Sequence, residues 1–125
     1  MAQSASFLRD LRILLVEDNY LVAEVVRDML ENCGCVVVGP VGRVESGLKL
    51  AQEEKLDGAV LDINLNGDRC FAIAETLRAR GVPFMFLSGY DDLELIPAAL
   101  RPTRRLGKPV MEQHLVSALS EMLAR

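Results

Sequence analysis

No apolar run in this sequence approaches the roughly 20 residues that span a bilayer; stretches such as Ile13–Val16 and Val36–Val38 fall far short. Nothing is expected to cross a membrane. The N-terminus, Met1 to Arg12, has no charged start followed by a continuous apolar core, so no secretory signal is read there and a cytoplasmic address is expected. A basic surplus is missing too: Lys and Arg number 14 against 18 Asp and Glu, a net charge of −4, which counts against a dedicated nucleic-acid binder. Cysteine is scarce. Cys33, Cys35 and Cys70 are odd in number, have no zinc-type spacing and no histidine close by, and read as reduced thiols acting as small apolar side chains. There is no internal repeat, low-complexity tract or linker. What remains is 125 residues, 50% hydrophobic, the size of one compact domain.

The apolar residues fall into short blocks that alternate with amphipathic stretches. Met1–Asp10 is small and polar and reads as a flexible leader, with the domain proper over residues 11–125. Ile13-Leu14-Leu15-Val16 ends in acids, as a strand buried on both faces does in a parallel sheet. From Asn19, a candidate cap, Leu21, Val22, Val25, Val26, Met29 and Leu30 recur opposite charged residues and predict a helix closed by Gly34. Val36–Val38 predicts a second strand, Val44–Lys55 a second helix, and Gly58–Leu61 a third strand stopped at Asp62. A loop over Asn64–Asp68, a helix to Arg80 and a strand over Phe84–Leu87 follow. Asp91–Leu100 predicts a fourth helix weakened by Pro97. Arg104–Gly107 predicts a fifth strand, and the spacing of Met111, Leu115, Ala118, Leu119, Met122 and Leu123 a last helix. Five strand-helix pairs predict an α/β fold, a doubly wound parallel sheet with helices on both faces and right-handed connections. In such sheets functional residues gather in the loops beyond the carboxyl ends of the strands.

Those loops begin with Glu17-Asp18 after the first strand, Asp62 after the third, Ser88 after the fourth and Lys108 after the fifth. They should converge. Three carboxylates in a small space repel one another, and each unit of pKa shift costs about 1.4 kcal/mol, so the cluster implies a cation. Hard oxygen donors in a partly open site suit Mg²⁺, which keeps several waters and is commonly held by one or two carboxylates and a phosphate. Three carboxylates, one divalent ion and Lys108 cancel in charge. Such a pocket lets an aspartate attack phosphorus and form an aspartyl phosphate while metal and lysine neutralise the phosphoryl oxygens. Asp62, at the tip of the central strand, is the candidate nucleophile. Glu17 and Asp18 are placed to hold the metal, and Ser88 can donate its hydroxyl to a phosphoryl oxygen. His114, the only histidine, reads as solvated helix surface.

Leu14-Leu15-Val16-Glu17-Asp18-Asn19, Val60-Leu61-Asp62, Phe86-Leu87-Ser88-Gly89 and Gly107-Lys108-Pro109 together resemble the motifs of response-regulator receiver domains of two-component signalling, in that family's order, from Arg12 to Arg125. The resemblance implies Asp62 as phosphoacceptor, Asp18 as direct Mg²⁺ ligand, Glu17 assisting through water and the backbone carbonyl of Asn64 as a further ligand. It implies a flavodoxin-like sheet order 2-1-3-4-5 with five helices. It also implies a cis peptide at Lys108-Pro109. The implied function is a single-domain response regulator that takes a phosphoryl group from a sensor histidine kinase or histidine phosphotransfer protein. It would then signal through changed protein contacts, as a phosphoacceptor rather than an enzyme. The family's output surface, the fourth helix, fifth strand and last helix, would meet a downstream protein or a second copy. Because the sequence ends just after the last helix, no attached output domain is expected.

The match departs from the family at defined places. Leu65-Asn66 stand where receivers often carry Met-Pro, and Arg105 stands at the switch aromatic's position. Tyr90 places a ring at the pocket rim, and Phe86 to Tyr90 resembles a subgroup of short stand-alone receivers; with Asn64 it is expected to tune access of water. Arg101, Arg104 and Arg105 form a basic cluster that could receive an acidic partner or face solvent. Other readings are a phosphate sink or relay intermediate, and a Mg²⁺-dependent phosphohydrolase of the haloacid-dehalogenase type. The last lacks the second aspartate, Asn64 standing in its place, and a cap. A flavin carrier would be repelled by Glu17 and Asp18.

Overall fold

A computed structural model describes residues 8–89 and 92–124. The elements are β1 (Arg12–Val16), α1 (Tyr20–Asn32), β2 (Val36–Val41), α2 (Val44–Glu53), β3 (Gly58–Asp62), α3 (Phe71–Ala79), β4 (Phe84–Ser88), β5 (Arg105–Gly107) and α4 (Glu112–Leu123). The five strands form one parallel sheet in the order β2-β1-β3-β4-β5. This is the expected order.

The two faces of the sheet explain the alternation of the strand residues. Leu14, Val16, Ala59, Leu61 and Phe86 pack with Ile73, Ala74 and Leu77 of α3 and Ala51 of α2. Ile13, Leu15, Val60, Met85 and Leu87 point the other way, onto Val26 and Leu30 of α1 and Leu115 and Leu119 of α4. All five residues of β3 are buried, as the central strand of a covered sheet requires. Asn19 caps α1 as expected: its Oδ1 accepts the Val22 N–H at 3.1 Å.

Three expectations are corrected. The predicted fourth helix over Asp91–Leu100 is not an α-helix: residues Asp92–Leu95 and Ala98–Leu100 form two 3₁₀ turns, so the described residues hold four α-helices instead of five. Pro97, at φ −59° and ψ 150°, has no N–H to give and sits between them in extended backbone. Leu8, placed in the flexible leader, is fully buried beside α1 and α4; burying such a side chain is worth about 1.5–3 kcal/mol, enough to hold the turn over residues 8–10 against the domain. Residues 1–7 lie outside the described residues. The loop Asn64–Asp68 is instead a small hairpin, pairing Asn64–Leu65 with Asp68–Arg69. Its central residues, Asn66 and Gly67, have φ of 55° and 93°, the left-handed conformations that Asn-Gly accepts readily. Among the described residues no helix is long and apolar enough to cross a membrane.

Candidate functional site

Parallel strands bring their carboxyl ends to one edge. Glu17 and Asp18 stand directly after β1, Asp62 ends β3, Ser88 ends β4 and Lys108 follows β5. The register locks the last two together, since Ser88 pairs with Gly107 and the Ser88 carbonyl accepts the Lys108 N–H at 3.1 Å. The Lys108-Pro109 peptide is cis.

Glu17, Asp18 and Asp62 each offer a carboxylate oxygen, all within 4.8 Å of one another. Lys108 Nζ lies 3.0 Å from Glu17 Oε1 and 3.2 Å from Asp62 Oδ1. Glu17 and Asp62 are 3% and 2% exposed, and water therefore screens neither charge. Each carboxylate is oriented by its neighbourhood. The Asn19 N–H donates to Glu17 Oε2 at 3.0 Å, and the Asn66 N–H donates to Asp18 Oδ2 at 2.9 Å, tying the hairpin to the first loop. Ser88 is buried at the end of β4. Asn64 is exposed at the rim, and its Oδ1 accepts the Gly67 N–H at 2.9 Å within the hairpin.

Burial, then the charge of Glu17, push the Asp62 carboxyl up to about 8, with Lys108 opposing them in part. For Lys108 burial pulls downward, but its contacts with Glu17 and Asp62 outweigh that and its pKa is raised. One ammonium thus faces two buried carboxylates with a third beside them, and negative charge is left over. Glu17 Oε1 is buried against the Lys108 ammonium at 3.0 Å, with no well-aligned hydrogen bond. An oxygen-rich set left with net negative charge fits a hard divalent cation.

Sequence reasoning passed over one residue of this cup. Asp92 lines the same depression as Asp62 and Lys108, and its Oδ2 accepts the Gly89 N–H at 2.7 Å. An isolated acid in a variable segment carries no signal for this. Tyr90, expected at the rim, lies outside the described residues. Arg105 is exposed and donates to the Arg101 carbonyl at 3.4 Å, and Arg104 pairs with Glu121 at 2.7 Å. His114 is exposed on α4.

A five-stranded doubly wound sheet with three acids and a lysine at its carboxyl edge defines a flavodoxin-like α/β domain with an acidic cup. A family model for the response regulator receiver domain matches residues 13–120, and the chain belongs to that family. SdrG from Sphingomonas melonis Fr1, solved in solution, is 34% identical with TM-score 0.81, over 92% of this chain and 98% of that one. The phyllosphere-induced regulator PhyR of Methylorubrum extorquens is 27% identical over 114 residues, 89% of this chain and 43% of that protein. The receiver domain of the sensor histidine kinase PA1611 from Pseudomonas aeruginosa PAO1, solved with a magnesium ion in its active site cleft, is 23% identical with TM-score 0.73. That match covers 93% of this chain and 99% of the other, and it carries likeness of fold alone. The chain spans about half the length of the curated relatives it matches. Receiver domains are signalling proteins of two-component systems, phosphorylated by histidine kinases or phosphotransfer proteins, with Mg²⁺ in an acidic pocket.

Proposed function

We propose that this chain is a cytoplasmic response-regulator receiver domain in which Asp62 accepts a phosphoryl group from a phosphohistidine. The donor is a sensor histidine kinase or a histidine phosphotransfer protein. The observation that carries this reading is the placement of Lys108 Nζ, 3.0 Å from Glu17 and 3.2 Å from Asp62, beside three clustered carboxylates.

An Asp62 carboxylate oxygen attacks phosphorus as the phosphorus–nitrogen bond to the donor imidazole breaks, and the imidazole leaves with that electron pair. Attack needs the ionised carboxylate, which Lys108 favours against the burial that raises its pKa. Lys108 and the Ser88 hydroxyl donate to the phosphoryl oxygens. Glu17, Asp18, Asp62 and the backbone carbonyl of Asn64 would hold Mg²⁺, which supplies charge neutralisation for those oxygens. The modified chain then presents a changed surface, comprising the 3₁₀ segment over residues 92–100, β5 and α4, to a downstream protein or to a second copy.

The test is incubation of the parent and Asp62→Ala with acetyl phosphate and Mg²⁺, followed by intact-mass measurement. The parent gains one phosphoryl group and the variant none; a phosphorylated variant overturns the assignment.

A further inference from the structure

At the opposite edge of the sheet from the acidic cup, α1 ends in a turn that carries two cysteines. The Cys35 N–H donates to the Leu30 carbonyl at 3.1 Å and the Gly34 N–H to the Glu31 carbonyl at 3.0 Å. This pair of bonds is the Schellman arrangement, with Gly34 left-handed at φ +91°. The turn is held from outside as well. The Asp10 N–H donates to the Gly34 carbonyl at 2.8 Å and the Val36 N–H to the Leu11 carbonyl at 2.8 Å, where the chain enters β2. A left-handed residue between two cysteines folds their side chains toward the same side, and Cys33 Sγ lies 3.9 Å from Cys35 Sγ. The two sulfurs differ in access: Cys33 is half-buried and Cys35 is 5% exposed. Packing alone explains a buried cysteine, but it does not require two thiols in contact with only one reachable from solvent.

We infer that Cys33 and Cys35 form a thiol–disulfide exchange site, in which Cys33 attacks a low-molecular-weight disulfide such as oxidised glutathione and Cys35 resolves the adduct into an intrachain Cys33–Cys35 disulfide. In the first step the Cys33 thiolate bonds to one glutathione sulfur and the glutathione disulfide breaks, releasing a glutathione thiolate. In the second step Cys35 gives up its proton to solvent and attacks the Cys33 sulfur, and the mixed disulfide breaks to release the second glutathione. Two protein thiols are oxidised, one external disulfide is reduced to two thiols, and the two protons end on glutathione.

The order of attack follows from the environment of each sulfur. A hydrogen bond from Cys35 lowers the Cys33 thiol to about 7 against the opposing effect of burial, while Cys35 is raised by that same bond and by burial. Once Cys33 carries glutathione its negative charge is gone, and Cys35 ionises more readily than before. Closure needs the sulfurs to approach from 3.9 Å to the roughly 2.05 Å of a disulfide. Cys70 is buried in the other core, against the opposite face of the sheet, and takes no part.

The test uses the full chain, reduced and then exposed to oxidised glutathione at neutral pH, with intact-mass measurement over time and peptide mapping. The parent should pass through a transient glutathione adduct and end two hydrogens lighter, with Cys33 and Cys35 in one linked peptide. Cys35→Ser should stop as a stable adduct on Cys33, and Cys33→Ser should react at least about tenfold more slowly than the parent. Cys35→Ala repeats the arrest if serine in the buried position prevents folding. A parent that keeps glutathione without closing, a bridge involving Cys70, or equal reactivity of the two single variants overturns the inference.

Discussion

Lys108 Nζ lies 3.2 Å from Asp62 Oδ1, yet this ion pair does not hold the aspartate at an ordinary acidity. Burial and the charge of Glu17 outweigh the ammonium, and the carboxyl rises from 3.8 to about 8. A carboxyl whose folded pKa exceeds its unfolded value favours the folded state below the unfolded pKa and loses that contribution as pH rises through the folded one. The window here runs from about pH 4 to about pH 8. In chelator, Asp62→Asn should therefore match the parent near pH 4 and exceed it increasingly above. By pH 8 the gain should reach about 1–3 kcal/mol, a Tm rise of several degrees. Thermal melts across that range check the sign; a variant less stable than the parent at pH 8 contradicts it.

As a proposed ligand, the same carboxyl should govern cation binding. A metal ligand must be ionised, and the Asp62 carboxyl is raised by burial and by Glu17, so if Asp62 is a ligand, binding of Mg²⁺ should compete with its protonation below about pH 8. Affinity should rise with pH by up to about tenfold per unit between pH 6 and pH 8, with proton release, and level off above. Titration calorimetry in buffers of different ionisation enthalpy measures the proton. Asp18→Asn should weaken binding at every pH while keeping the slope, since Asp62 remains; a flat pH profile for the parent separates cation binding from Asp62.

The fold was legible because its strands are short apolar blocks that end in polar residues. Ile13–Val16, Gly58–Leu61 and Phe84–Leu87 each lie within the observed strands, and the residues after them meet because parallel strands end on one edge. The hairpin was missed although Asn66-Gly67 is a strong turn signal. Of its four paired residues only Leu65 is apolar, and strands of two residues are too short for alternation to be read. Leu8 was missed for a similar reason: a lone apolar residue in a polar stretch has no period to betray its burial. The segment over residues 92–100 carries helix-forming residues, but Pro97 divides it, and composition does not distinguish a broken helix from two 3₁₀ turns. Asp92 reaches the site through a three-residue backtrack to Gly89, a contact that no periodicity encodes.

Gly39 tests the edge strand. Its φ is +103°, and a Cβ there would stand 2.8 Å from the Leu15 carbonyl oxygen and 3.1 Å from the Val41 nitrogen, both fixed backbone atoms. Gly39→Ala should cost about 2–4 kcal/mol, combining left-handed strain with a clash that no side-chain rotation relieves. Gly81 supplies the control: its φ is +75°, but nothing lies within 4 Å of an added Cβ. Gly81→Ala should cost only about 1–2 kcal/mol. Urea unfolding of both checks the order, and equal losses would show that backbone strain alone sets the cost at Gly39.

Asp92 should restrain the site it borders. Its Oδ2 takes the Gly89 N–H at 2.7 Å, beside Ser88, and it lines the depression into which Asp62 opens. A phosphoryl group on Asp62 would carry about −1.5 to −2 of charge near this carboxylate, in place of the −1 of the free carboxylate. Its oxygens would also compete for the same N–H. Asp92→Ala removes both the charge and the acceptor. It should take up phosphate from acetyl phosphate at least about threefold faster, and lose about 1 kcal/mol of stability because a charge-assisted hydrogen bond is gone. Asp92→Asn separates the two effects: the amide oxygen can still accept the Gly89 N–H, so stability should stay near the parent's while the rate still rises. Phosphorylation time courses and thermal melts of both variants decide the matter. A rate gain in the alanine variant alone would assign the restraint to the hydrogen bond, and slower uptake in both would make Asp92 an aid to phosphorylation rather than a brake.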